Sequence, residues 1–247
     1  LCAPSCTTRL ARAGARGRVG ARGSRPGGET TRLSERVRAV GGLVSMRTGE
    51  GGEAVPYELN VTWWSALNDA TPEEDLERQV DRFVAARAIA LALKGVPGIY
   101  LLSFFGARND LDAVRRDGQA RSINRSALRE EWLFDQFADP ASIPSRTASR
   151  FIDLLSRRSA EPAFHPAAAQ RVLRLDPRLF ALARTPVGGG PAVVAIVEVS
   201  GSEVAVRLRP ADAGLAGGPL VDLVSGEEVP VNGGETDLRL DPYQVVW

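Results

Sequence analysis

The run Arg121–Arg125, which reads Arg-Ser-Ile-Asn-Arg, is the part of this sequence best suited to bind a charged or hydroxylated ligand. A guanidinium group presents planar N–H donors that pair two at a time with a carboxylate, a phosphate or sugar hydroxyls. Arg121 is therefore a candidate ligand-binding residue. The alternative is a surface arginine that pairs with Asp110 or Asp112.

Other residues that could carry chemistry have simpler structural explanations. His165 is the single histidine, and we expect it to pack where two parts of the chain meet. With Cys2 and Cys6 as the only cysteines, neither a zinc site nor a structural disulfide is expected. Trp63 and Trp64 could stack on sugar rings, but core packing is the expected role.

Composition narrows the class of protein. The 247 residues suffice for one large or two small domains, and 44% apolar with 25% charged residues is ordinary for a globular protein. A net charge of +1 argues against nucleic-acid and membrane partners. The start of the chain has no secretory pattern, so a cytoplasmic location is expected, and Asn60-Val61-Thr62 matches the glycosylation motif by chance. No cofactor is expected.

Helical and strand-like patterns predict an α/β part in the first two thirds of the chain. Residues 1–31, rich in Arg, Gly and Ala, are expected to be a disordered or misread-frame segment. The predicted elements are a helix at Leu33–Val40 stopped by Gly41, a strand at Leu43–Met46, and helices beginning at Thr71 and near Ser145. Ile99–Phe105, apolar on both faces, predicts a buried strand of a parallel sheet.

Short strand-like runs separated by glycine-rich turns follow His165 and predict a small all-β domain. They are Val172–Asp176, Leu179–Arg184, Ala192–Val199, Val204–Arg209, Leu220–Val224 and Leu238–Leu240. This pattern is typical of an antiparallel β-sandwich. We therefore expect an α/β domain over residues 32–164 and a β-sandwich over residues 165–247.

Several motifs together resemble those of sugar phosphorylases of the sucrose phosphorylase type, in the alpha-amylase superfamily. They are Tyr57–Trp64, Gly95–Tyr100, Gly106–Asp110, Arg121–Arg125 and the ending Asp241–Trp247. The resemblance covers roughly Leu33–Trp247. It implies that the α/β part is the C-terminal portion of a (β/α)8 TIM barrel, followed by the antiparallel β-sandwich domain.

The resemblance implies a retaining transfer of glucose from an α-glucoside, such as sucrose or glucosylglycerate, to inorganic phosphate. In this family the nucleophile and the acid/base would precede residue 1, and a third carboxylate lies in a His-Asp dipeptide, which this sequence lacks. Glu58, Asp69 and Asp110 do not match those positions. No catalytic residue is therefore assigned, and the chain alone is expected to be inactive.

One family role is carried over to this sequence. Arg121 is expected to lie beside the donor-sugar pocket as the substrate-binding residue, while Asn124 and Arg125 brace its loop. Two other functions stay open: an α-glucoside hydrolase or glucan transferase of the same superfamily, and a non-catalytic carbohydrate-binding remnant. The oligomeric state is also left open.

Overall fold

The computed structural model describes residues 8–9, 26–215 and 218–247, which fall into two units. The first unit comprises the described residues up to Glu73 together with Tyr100–Ala138, and the second comprises Glu74–Ile99 and Asp139–Trp247. Most of residues 1–31, including both cysteines, lies outside the described residues. No helix within the described ranges has the length and apolar character needed to cross a membrane.

The first unit combines a small antiparallel sheet with short helices. Its strands are β1 (Thr8–Arg9), β2 (Leu43–Thr48) and β3 (Ala54–Asn60), in the spatial order β1-β3-β2. Its helices are α1 (Pro26–Ala39), α2 (Trp63–Asn68), α4 (Leu101–Phe104), α5 (Leu111–Asp117) and α6 (Glu130–Ala138), with a 3-10 helix at Ala120–Asn124. Helix α1 begins inside the segment that was expected to be disordered.

The predicted end of α1 is confirmed. Gly41 takes the left-handed conformation with φ 72°, and the N–H of Gly42 donates to the carbonyl of Val37 at 2.8 Å. Only glycine adopts this conformation without steric cost, so the chain leaves the helix here. It then enters β2, which the sequence also predicts.

A bulge in the sheet sets the direction of the side chains at the end of β3. Ser45 pairs with Glu58 and Met46 pairs with Pro56, so Tyr57 has no opposite residue in β2. An extra residue of this kind bends the strand and re-aims the side chains beside it. Glu58 follows directly and points to the buried side of the strand.

The predicted buried strand at Ile99–Phe105 is wrong. Residues 96–100 have no regular secondary structure, and Leu101–Phe104 form α4. A buried parallel strand needs neighbouring strands, and within the described residues none pairs with this segment. Its backbone groups bond locally instead, with the N–H of Phe104 donating to the carbonyl of Tyr100 at 3.0 Å. Leu101 consequently stays 60% exposed.

The second unit contains two long helices and a set of antiparallel strands. The helices are α3 (Leu76–Ala92) and α7 (Ile143–Ala160). A four-stranded sheet has the order β11-β6-β5-β4, built from β4 (Ala169–Val172), β5 (Leu179–Thr185), β6 (Val193–Glu198) and β11 (Val245–Val246). Two strand pairs complete it: β7 (Val204–Leu208) with β10 (Thr236–Leu240), and β8 (Leu220–Val221) with β9 (Glu228–Val229).

These strands share an apolar core that their alternating sequences predict. Its buried members come from β5, β6, β7 and β10, and they are Leu179, Ala181, Ala183, Val194, Ile196, Val204, Leu208 and Leu240, with Ala213. In β7, Val204 and Leu208 are buried while Ala205 and Arg207 face out, as expected for a half-exposed strand. All residues of β6 are buried, because α3 also packs against it.

Helix α3 begins later than the sequence predicts. Thr71 was the expected N-cap, but the helix starts at Leu76 and is capped by Asp75, whose carboxylate accepts from the N–H of Arg78 at 3.3 Å. Aspartate is at least as favourable as threonine at the N-cap, so the helix begins at the later of the two candidate N-caps. Thr71 instead lies in a turn, with its N–H donating to the carbonyl of Asn68.

Arg184 is fully buried and is satisfied by backbone carbonyls. Its guanidinium donates to the carbonyls of Ala92 and His165, both at 2.8 Å, and to that of Ala169 at 3.3 Å. Ala92 ends α3, where carbonyls lack helical partners and positive charge is favourable. Burial lowers the pKa of Arg184, and the nearby charge of Arg158 lowers it further.

Glu198 is a second fully buried charged group. Its carboxylate accepts from the N–H of Ser200 at 2.6 Å, of Gly201 at 2.8 Å and of Tyr243 at 2.9 Å. Burial alone would raise the pKa of Glu198, but hydrogen bonds from the Ser200 hydroxyl and these backbone groups outweigh it and leave the pKa lowered. Tyr243 also accepts from the Nε of Arg82 at 2.9 Å, which joins the strands to α3.

Candidate functional site

The segment that carries Arg121 is a 3-10 helix held at several points. Its preceding helix, α5, ends at Gly118 in the left-handed conformation, and the hydroxyl of Ser122 donates to Asp117 at 2.8 Å. The carbonyl of Ile123 accepts from the N–H of Asp110 at 2.8 Å. Because Ser122, Ile123 and Asn124 are buried, the backbone of this turn is well supported beneath Arg121.

Arg121 forms an ion pair with Glu58 of β3. Its Nε donates to Oε2 of Glu58 at 2.9 Å. The carboxylate side chain is only 3% exposed, whereas the arginine side chain is 42% exposed. The hydrogen bond to Glu58, together with its charge, raises the pKa of Arg121, so the guanidinium stays charged at any pH of interest.

This ion pair leaves one side of the guanidinium free. Within the described part of the chain, the side chain of Arg121 donates a hydrogen bond through Nε alone. The two Nη groups are therefore available to a ligand that approaches from the exposed side. Paired N–H groups of this kind fit two oxygens of a carboxylate or phosphate, or two sugar hydroxyls.

The alternative pairing of Arg121 with Asp110 or Asp112 is wrong. The Asp110 carboxylate caps α5 by accepting from the N–H of Ala113 at 2.8 Å. Asp112 pairs with Arg115 on the surface of the same helix. Both aspartates thus serve α5, as their positions in its first turn favour.

Asn109 ties the loop Gly106–Asp110 to its neighbours. Its Oδ1 accepts from the N–H of Thr62 at 2.8 Å, and its Nδ2 donates to the carbonyl of Val40 at 3.1 Å. Its own N–H donates to the hydroxyl of Ser65 at 3.0 Å. One side chain therefore links the end of α1, the start of α2 and the loop before α5. Sequence reasoning singled out the loop but not this role.

The two residues expected to brace the Arg121 loop behave differently. Asn124 is buried, and its backbone carbonyl accepts from the hydroxyl of Tyr100 at 3.0 Å. The backbone of Asn124 thus ties the loop to Tyr100. Arg125 is exposed, and its recorded contact is made by the backbone, whose N–H donates to the carbonyl of Ser122 at 3.1 Å. In the residues that the structure describes, no side-chain brace from Arg125 is present.

The described residues near this loop enclose very little space. Trp63, Tyr100 and Asn124 contribute to a cleft of about 10 Å³, which is the room of about one water molecule. Trp64 is fully buried, as core packing predicts, while Trp63 is 36% exposed at the rim of this cleft. A sugar ring needs far more room, so these residues can form at most one side of a sugar pocket.

His165 and Asn60 do not belong to the site. The Nδ1 of His165 accepts from the N–H of Ala167 at 3.1 Å, so the ring stabilises its own turn, although it is exposed rather than packed. Asn60 is fully buried and donates to the hydroxyl of Ser45 at 2.9 Å, which agrees with a chance match to the glycosylation motif. Among the described residues, no group of His, Cys, Asp and Glu could hold a metal ion.

The comparisons with known sequences identify relatives of one kind. No protein-family model matches the chain. The chain is 33% identical over 237 residues to the glucosylglycerate phosphorylase of Spirochaeta thermophila and 30% identical over 226 residues to that of Escherichia coli K12. It is also 30% identical over 109 residues to the sucrose phosphorylase of Agrobacterium vitis, a match of 44% of this chain and 19% of the relative.

These matches cover most of this chain but only a part of each relative. Both glucosylglycerate phosphorylases match 92% of this chain, but the chain covers only 39% and 38% of their lengths. The chain thus spans less than two fifths of the curated relatives that it matches. A match to 92% of the chain is longer than residues 32–247 alone, so the similarity also takes in part of the first 31 residues. The expected start of the similarity near Leu33 is therefore wrong.

Solved structures give the fold. The chain matches the sucrose 6F-phosphate phosphorylase from Thermoanaerobacter thermosaccharolyticum with a TM-score of 0.56 at 17% identity, over 75% of this chain and 35% of that one. An alpha-amylase from Geobacillus thermoleovorans matches with a TM-score of 0.54 at 15% identity, over 76% and 36%. The fold of the chain therefore resembles that of about a third of each of these two enzymes.

Proposed function

We propose that this chain, which matches two glucosylglycerate phosphorylases over 92% of its length and a sucrose phosphorylase over 44%, is part of a sugar phosphorylase. The reaction is the transfer of a glucosyl group from an α-glucoside to inorganic phosphate. The observation that carries the proposal is the match of 92% of the chain to two glucosylglycerate phosphorylases. Glucosylglycerate is accordingly the favoured donor, because the Agrobacterium vitis sucrose phosphorylase matches a smaller share of the chain.

Within this reaction we assign substrate binding to Arg121. The buried Glu58 carboxylate holds the guanidinium by Nε, and its Nη groups are free to meet ligand oxygens. A sugar phosphorylase handles sugar hydroxyls, a phosphate and, with glucosylglycerate, a carboxylate, and paired N–H donors suit each of these.

The carboxylates of a retaining mechanism are not assigned to this chain. Such a mechanism needs a nucleophile and an acid/base that are held about 5 Å apart. We propose that these groups belong to the part of the relatives' length that this chain does not cover. On the same basis, residues 32–164 would be the C-terminal portion of the barrel, and residues 165–247 the β-sandwich domain.

A chimera tests this function directly. In it, the present chain replaces the matching segment of the Escherichia coli glucosylglycerate phosphorylase, and products are analysed with and without phosphate. Release of glucose 1-phosphate from glucosylglycerate, dependent on phosphate, is the expected result. A chimera that melts like its parent but releases free glucose would point to a hydrolase and contradict the proposal.

A further inference from the structure

A basic groove of about 510 Å³ lies on the second unit, and its lining includes no residue assigned to phosphorolysis. Its charged lining consists of Arg171, Arg174, Arg207, Arg209, Asp212 and Glu235. With Asp237, which pairs with Arg207 beside the lining, four guanidinium groups face three carboxylates, so the groove has an excess of one positive charge. All four arginines are exposed, so their charges face solvent in the groove.

Three of these arginines are held in place by one part of the guanidinium. Arg209 donates through Nε to Glu235 at 2.7 Å, and Arg207 donates through Nε and Nη2 to Asp237 at 2.6 and 3.2 Å. The Nη2 of Arg171 donates to the backbone carbonyl of Asp212. Each of these contacts limits the rotamers of a long side chain, while other N–H groups of the same guanidinium remain open. An incoming anion therefore meets donors that are already partly ordered, which lowers the entropic cost of binding.

Arg174 differs from the other three. Within the described residues, no hydrogen bond or ion pair involves its side chain, and it is exposed beside the groove. The N–H donors of Arg174 thus have no acceptor among the described residues, whereas each of the other three guanidinium groups uses some of its N–H donors in hydrogen bonds. A ligand with several oxygens could engage Arg174 together with the open Nη groups of Arg209.

We propose that this groove binds a phosphate dianion, either free inorganic phosphate or the phosphate group of a sugar phosphate. A phosphate group presents several acceptor oxygens, which suit the guanidinium of Arg174 and the open N–H groups of the other arginines. A long polyanion fits less well, because Asp212 and Glu235 lie among the arginines and would repel a continuous row of phosphates. The proposal uses contacts of the groove alone and does not depend on the proposed phosphorolysis.

Calorimetric titration of the 247-residue chain with inorganic phosphate, and separately with glucose 1-phosphate, tests the groove. The double variant Arg174→Gln/Arg209→Gln should bind at least about tenfold more weakly than the wild type, since charge-assisted hydrogen bonds are lost. Equal affinity for both probes assigns recognition to the phosphate group, and tighter binding of glucose 1-phosphate adds a contribution from the sugar.

A control variant separates this groove from other arginines. Arg239→Gln removes an exposed arginine that pairs with Glu203 outside the groove lining. It should keep the binding that the double variant loses, and circular dichroism should show the same melting for all variants. Absence of saturable binding to the wild type would overturn the proposal, and so would an equal loss in Arg239→Gln.

Discussion

The buried carboxylate of Glu58 holds the half-exposed guanidinium of Arg121 by a hydrogen bond of 2.9 Å between residues 63 positions apart in the chain. The bulge at Tyr57 precedes Glu58, and the 3-10 helix sets the position of Arg121. The pair therefore depends on two separate elements of the first unit. It fixes one edge of the arginine and leaves the other edge free, which is the arrangement expected of a ligand-binding arginine.

Replacing Arg121 by alanine tests the assigned substrate-binding role. In the chimera with the Escherichia coli enzyme, Arg121→Ala should lower kcat/KM for phosphorolysis by at least about tenfold, since donors to the ligand are lost. Arg125→Ala is the matched control, because Arg125 lies in the same motif and its exposed side chain has no described contact. Steady-state kinetics check this, and wild-type kinetics in Arg121→Ala would remove the assignment.

Changes at Glu58 should act through Arg121. Glu58→Gln keeps an oxygen that can accept from Nε, so its kcat/KM should fall less than that of Arg121→Ala. Glu58→Ala removes the acceptor, so its kcat/KM should fall further. In a variant that already carries Arg121→Ala, adding Glu58→Ala should have little extra effect on kcat/KM. A double-mutant cycle on kcat/KM measures this coupling, and purely additive losses would show that the two residues act independently.

The 247-residue chain without the rest of a phosphorylase should be inactive. It carries no residue assigned as nucleophile or acid/base, so glucosyl transfer has no covalent route. Incubation of the purified chain with glucosylglycerate or sucrose and phosphate, followed by an assay of glucose 1-phosphate, checks this. Turnover above that of a heat-treated sample would show that the carboxylates lie within the chain after all.

Local patterns predicted the parts of the fold that depend on nearby residues. The alternation Val204, Val206 and Leu208 gave the correct strand, and Gly41 gave the correct end of α1, because side-chain direction and backbone freedom act locally. The Ile99–Phe105 strand failed, because a buried strand depends on neighbours that the described residues do not provide. The Glu58–Arg121 pair was missed for a similar reason: no periodicity relates residues so distant in sequence.

Removal of the buried Arg184 charge should destabilise the second unit. Arg184→Met leaves the carbonyls of Ala92 and His165 without their donor. Each buried group left unsatisfied costs about 1–3 kcal/mol, so a loss of at least about 2 kcal/mol is expected. Urea unfolding measures it. Arg178→Met, which removes an exposed arginine paired with Asp176, is the control and should change little.

Glu198 should make the stability of the chain depend on acid pH. Its pKa is lower in the folded state than the unfolded value of about 4.3, so its contribution is complete above that pH and is lost as the pH falls through the folded pKa. Glu198→Gln should cost about 1–3 kcal/mol at pH 7, because the amide cannot accept all the hydrogen bonds. Urea unfolding at several pH values should show the difference from wild type shrinking below about pH 4. A difference that stays constant would contradict the assignment.

The contacts of Arg184 also affect which truncated forms of the chain we expect to be stable. They join the end of α3 at Ala92 to Ala169 at the start of β4, although the residues Tyr100–Ala138 of the first unit lie between them in sequence. A polypeptide of residues 165–247 alone would leave the Arg184 guanidinium without the α3 carbonyl that now accepts from it. The second unit is discontinuous in sequence, so we expect a version that keeps α3 and replaces Tyr100–Ala138 by a linker to be more stable than residues 165–247 alone.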